Sequence, residues 1–186
     1  MTRITQAVLV EAARAVNRMG AQERLQLADE VFAHQPNLLA SVVVLRQMGA
    51  SDAQIEVPLH VLLVAWQAMK SSTVQWPLIS EDTQDVCLQR LTGRVRFAEG
   101  LTPKSLRRTV EKHIDEHGEQ YLLAFAYGHL RDNGLLAVRT EVEQYLVLVT
   151  LNLVECIAFS AAKAPARSNA SPRSRRVSAS TRRPGS

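Results

Sequence analysis

Cysteine is scarce in this sequence, with two among 186 residues. Cys87 and Cys156 lie far apart in apolar surroundings, without the close Cys or Cys/His spacing of zinc and redox motifs. A reducing compartment and no structural disulfide are expected. The phosphate cradles Gly-x-x-x-x-Gly-Lys-Ser/Thr and Gly-x-Gly-x-x-Gly are missing, as is a Gly-x-Ser-x-Gly elbow. The common nucleotide sites and serine nucleophiles are thereby excluded. No cofactor is implied and nothing compels an enzyme. The first residues also lack the unbroken apolar run of a signal peptide, because Gln6, Glu11 and Arg14 interrupt it. Arg3, Arg14 and Arg18 give this segment a composition similar to a mitochondrial presequence, but Glu11 and the smooth run into further helical pattern point to an ordinary first helix in a cytoplasmic protein.

What is present is apolar residue at helical spacing. The 46% apolar content and mean hydropathy of −0.07 suit a chain that buries one core. The basic charge is unevenly placed. Seven of the 22 basic side chains fall at Lys163, Arg167, Arg173, Arg175, Arg176, Arg182 and Arg183 with no acid among them, which leaves 15 basic against all 18 acidic residues in 1–162. The pI near 9.4 thus belongs to a Ser/Arg/Pro-rich tail that can bury too little to offset the entropy of ordering it. The expected organisation is an all-α domain over 1–162, an irregular bundle of seven or eight helices, followed by a disordered basic tail over 163–186.

Glycine and proline punctuate the helical segments. Residues 5–19 read as a first helix with Val8, Ala12, Ala15, Val16 and Met19 inward and Gly20 as a left-handed stop. Residues 22–34 follow, with Leu25, Ala28, Val31 and Phe32 inward and Pro36 ending them. A third helix starts at an Asn37 cap and stops at Gly49, although Val42, Val43 and Val44 would also suit a strand. Ser51 caps a short turn, and Pro58 reads as the first residue of a fourth helix carrying Leu59, Leu62, Leu63, Trp66 and Met69. Ser80 caps a fifth over 81–98, where Gly93 marks a bend or a close contact. Thr102-Pro103 opens a sixth and very polar helix with Val110 and Ile114 as its narrow apolar stripe. Tyr121–Leu130 forms a seventh before the turn at Asp132-Asn133-Gly134. The last segment, 136–162, is apolar on most sides and belongs at the centre. It is long enough to cross a bilayer, but Asn152 and Glu155 argue for a core helix, since a central acid costs ~2.5–3.5 kcal/mol on insertion.

One string has a catalytic reading. His113-Ile114-Asp115-Glu116-His117 fits H-x-x-E-H, in which two histidines one helical turn apart bind zinc and the glutamate acts as base. It resembles the motif of the inverzincin metallopeptidases, which implies a third ligand from a downstream Glu. Glu141 and Glu143 are the nearer candidates, and Glu155 lies on the apolar last helix. At the end of a polar helix, however, His113 and His117 are expected to serve the helix dipole or face water. Glu30/His34 and Glu56/His60 have four-residue spacing where di-iron bundles use three, and Pro58 separates the second pair, so solvated side chains are expected. Residues 45–59 have the outline of a helix-turn-helix, but Pro58 would interrupt its recognition helix and Arg46 is outweighed by Asp52 and Glu56.

The resulting expectation is a non-catalytic protein–protein interaction or adaptor module that binds a protein partner, or itself, through an apolar helical face. Two alternatives stand beside it. The basic tail would contact nucleic acid or another polyanion, with Arg175-Arg176-Val177-Ser178 as a phosphorylation site at Ser178. A small metal-dependent hydrolase would use His113, Glu116 and His117.

Overall fold

Local hydrogen bonding sets the helix starts. In the computed structural model, which describes residues 2–72, 74–98 and 102–163, the Thr5 hydroxyl accepts from Val8 N–H ahead of α1 (Gln6–Arg18). Ser51 and Gln54 form a reciprocal capping box at the start of α4 (Asp52–Ser71). Ser80 Oγ accepts from Thr83 N–H at α5 (Glu81–Ala98), and Thr102 accepts from Ser105 N–H at α6 (Pro103–Glu116). Each satisfies a backbone donor that the helix itself cannot pair. The other helices are α2 (Ala21–His34), α3 (Pro36–Val43), α7 (Gln120–Asp132) and α8 (Glu141–Lys163), and among the described residues there is no strand.

The protein is an all-α helical bundle. α4 and α8 pack against each other, α1 lies along α4, α5 lies along α8, and α7 touches both. α2 and α3 cover the remaining side of α4, while α6 rests against α7 at the edge. Leu62, Met69, Leu122, Leu130, Leu146, Leu153 and Ile157 are fully buried where these helices meet. α8 is long and apolar enough to cross a membrane, and here it is packed as a core helix, as its Asn152 and Glu155 suggested.

Several expectations need correction. Gly20 has φ −72 and precedes α2 as its cap, with Glu23 accepting from its N–H, so it is not a left-handed stop. Gly49 is one, at φ +94. On α2 the buried residues are Leu27 and Val31, whereas Leu25 and Phe32 are 56% and 64% exposed. Both faces carry apolar residues, and the neighbouring helices decide which is covered. Pro36 opens α3 rather than ending α2, because its fixed φ suits a first helical position. Val42 and Val43 complete α3, and Val44 begins a 3₁₀ turn through Arg46.

Pro58 is not the first residue of a helix. It sits buried inside α4, where the capping box starts the helix six residues earlier and core packing offsets the hydrogen bond that Pro cannot donate. Glu56 and His60 therefore share a helix after all. A Cβ on Gly93 would meet nothing within 4 Å, so no close contact explains that glycine. The last helix starts at Glu141, preceded by a 3₁₀ turn at Leu135–Ala137, and it runs to Lys163. Arg167, Arg173, Arg175, Arg176, Ser178, Arg182 and Arg183 lie outside the described residues.

Candidate functional site

Three helices converge on Glu155. It is the single charged residue of α8 between Glu143 and Lys163, and its side chain is 11% exposed. Burial alone would push its carboxyl up. The imidazoles of His113 and His117 and the guanidinium of Arg94 outweigh that effect and hold it well below the usual carboxylate range. Arg94 Nη1 of α5 is 2.5 Å from Glu155 Oε1, and His113 Nε2 of α6 is 3.2 Å from the same oxygen. Arg94 Nη1 also lies 3.3 Å from His113 Nε2, so this ring nitrogen faces a donor on one side and an acceptor on the other.

His117 closes α6 as its C-cap. Gly118 follows beside α8, where a Cβ would make only ordinary contact with Ala158 at 3.8 Å. The His117 side chain is 6% exposed, which overturns the expectation that it faces water. The backbone N–H of Glu119 donates to its Nδ1 at 3.1 Å. A neutral ring with Nδ1 accepting carries its proton on Nε2. That Nε2 is buried without a hydrogen-bond partner, because Glu155 Oε1 is 3.7 Å away. Glu119 is itself anchored. Its buried carboxylate accepts from Arg3 N–H at 2.8 Å and Ile4 N–H at 2.9 Å, tying the start of the chain to the start of α7.

Glu155, Arg94, His113 and His117 line an open cleft of about 440 Å³ that also includes Cys87, Arg90 and Phe159. The Arg90 guanidinium lies 5.3 Å from the Phe159 ring centroid, and Lys163 Nζ lies 4.1 Å from it. Both cations are thus held against the ring face, and of the two Arg90 lines the cleft.

His113 and His117 do meet a downstream glutamate, Glu155. Arg94 Nη1 and His113 Nε2 both contact Glu155 Oε1 and lie 3.3 Å from each other, so the carboxylate already has a cation as its partner. His117 has its proton on the nitrogen that would bind metal, opposite to the usual arrangement in which Nδ1–H donates outward. Glu116 is 68% exposed and its nearest cation is Lys112 at 3.8 Å. Glu141 accepts from the Tyr145 hydroxyl, and Glu143 caps α8 by accepting from Arg139 and Thr140 N–H. Among the described residues no group of three or more His, Cys, Asp or Glu is placed to hold a metal ion.

Sequence reasoning missed Arg90 and Arg94, which look like ordinary surface charges of α5. The readable signal was Glu155, since a lone charge on an otherwise apolar core helix needs a partner. The other pairs are dispersed, with Glu30 bound by Lys70 at 2.6 Å and the His60 ring tilted against that of His129 with centroids 4.7 Å apart.

Comparison of the chain with protein-family models, curated proteins and solved structures gives no match. The functional argument therefore rests on the site's own chemistry.

Proposed function

We propose that this chain is a non-catalytic binding protein whose cleft between α5, α6 and α8 takes a small anionic ligand bearing a carboxylate or phosphate group. The observation that carries the reading is the buried, unpartnered Nε2–H of His117, beside the Arg94 guanidinium. An unmet donor in a buried position is costly, and an incoming oxygen would satisfy it. Arg90 on the cleft wall adds positive charge, and Glu155 is already neutralised by Arg94. Binding rather than catalysis is favoured because Glu155, the best-placed carboxylate, is held too far below neutrality to be an effective base.

The test is a titration of the full chain with inorganic phosphate and with succinate, followed through the imidazole NMR signals of His113 and His117. That readout is insensitive to phosphate held elsewhere on the chain. Saturable shifts are expected with at least one of the two anions, and Arg94→Ala should weaken binding about 10- to 100-fold, the value of one charge-assisted hydrogen bond. Unmoved imidazole signals with both anions, or an unchanged affinity in a folded Arg94→Ala variant, would refute the reading.

A second reading rests on α2. Leu25 and Phe32 lie two turns apart on one face and are both more than half exposed, an apolar edge suited to pairing with a second copy of the chain. Concentration-dependent light scattering should show self-association that Leu25→Ser with Phe32→Ser abolishes, and a strict monomer would remove this reading.

A further inference from the structure

The two cysteines are distant in sequence and adjacent in the fold. Cys87 comes from α5 and Cys156 from α8, two helices packed along one another. Both are free thiols, 2% and 0% exposed, and they sit at one level of the helix pair, between the hydrogen bond from Asn152 Nδ2 to Gln84 O at 3.2 Å on one side and the Arg90–Phe159 contact at 5.3 Å on the other. Cys87 also lines the cleft, with Arg90 and Arg94 further along the same helix. Cys87 thus borders the cleft, while Cys156 is wholly inside the core.

We propose that Cys87 and Cys156 are an oxidative modification site, closing to an intramolecular disulfide between α5 and α8 when a hydroperoxide enters the cleft. The Cys87 sulfur, as thiolate, attacks one peroxide oxygen. The O–O bond breaks, the departing hydroxide takes up a proton to become water, and Cys87 is oxidised to the sulfenic acid. The Cys156 sulfur then gives up its proton and attacks the Cys87 sulfur. An S–S bond forms, the S–O bond breaks, and the second hydroxide leaves as water with that proton. Two thiols and one hydrogen peroxide become one disulfide and two waters.

Cys87 is the attacking group because it borders the cleft and because Arg90 and Arg94 oppose the upward push that burial gives its thiol. Burial pushes Cys156 up further, which suits a thiol that waits for an activated partner. Both effects make the reaction slow at neutral pH and faster as pH rises. The proposal goes beyond the anion-binding reading and does not depend on it.

The test treats the folded full chain with excess hydrogen peroxide at mildly alkaline pH. The protein is then quenched, denatured in acid and alkylated without reduction before its intact mass is read. The expected product is a monomer lighter by two hydrogen atoms with no alkylated cysteine, and a reductant should restore both alkylation sites. Cys156→Ser should instead leave a Cys87 sulfenic acid that dimedone traps, and the thermal midpoint of the wild type should rise on oxidation. The proposal is overturned if wild type keeps two alkylatable thiols under conditions that fully oxidise N-acetylcysteine. It also falls if the disulfide forms between two chains, or if wild type and Cys156→Ser yield the same oxidised Cys87.

Discussion

Glu155 places a carboxylate where α8 is otherwise apolar, and the surrounding cations make that placement stable. Glu155→Gln keeps the shape and removes the charge, which leaves Arg94 facing a neutral amide. A loss of about 1–3 kcal/mol at neutral pH is expected, measured as a lower denaturant midpoint. The folded carboxyl is held below its ordinary range, so the unfolded chain takes up the proton first. The contribution is complete above the ordinary carboxylate range and fades as pH falls through it. The gap between wild type and Glu155→Gln should narrow in acid, and a gap that stays constant would contradict the assignment. His60 behaves in a related way on another face. Burial first, then the neighbouring His129 and the charge of Arg24, push it from 6.5 down to about 4. The unfolded histidine binds its proton at higher pH, so stability contributed by neutral His60 is full above 6.5 and is lost as pH falls toward about 4. His129, whose own affinity for a proton burial lowers against the opposing pull of Asp132, adds to the same window. His60→Phe should flatten this part of the stability–pH curve, read from urea midpoints between neutral and mildly acid pH.

At the scale of a single element, two glycines give opposite predictions. Gly93 is inside α5 with open space around its Cβ position, so Gly93→Ala should stabilise by about 0.5–1 kcal/mol through helix propensity. Gly49 has φ +94, and a Cβ there would make only ordinary contact with Val142 at 3.7 Å. The cost of Gly49→Ala is therefore the left-handed backbone itself, about 1–2 kcal/mol. Thermal midpoints of the two variants should move in opposite directions. The element boundaries were largely legible because caps are local: Ser51, Ser80, Thr102, Gly49 and Gly134 each act on backbone groups within a few residues. Pro58 was misread for the complementary reason. Its local preference for a first turn competes with the capping box before it and with burial in the core, and only the assembled helix shows which prevails.

Across the whole molecule, α4 and α8 share the core, and the bundle closes on itself where Glu119 holds the backbone of Arg3 and Ile4. Leu153 is 2% exposed, and Leu153→Ala should cost about 3–5 kcal/mol through lost transfer energy and the cavity left behind. Phe32→Ala, on the exposed face of α2, should stay within about 0.5 kcal/mol. Comparable losses at the two positions would mean that α2 is covered after all. Helix number, order and the central place of α8 follow from periodicity and composition, which depend on neighbours one or two turns away. The choice of buried face on α2 does not, since apolar residues occur on both sides of it. The chemistry was less accessible still. His113 and His117 stand out in the sequence, but Arg94 is 19 positions from His113 and Glu155 is 61 from Arg94. By itself, then, the sequence determined an all-α chain with capped helices and an apolar last segment. Tertiary structure alone decided that Glu155 meets two histidines and an arginine, and that two thiols distant in sequence share one level of the α5–α8 pair. Spacing along a helix specifies which residues share a face, whereas a site made by three helices depends on how those faces are docked.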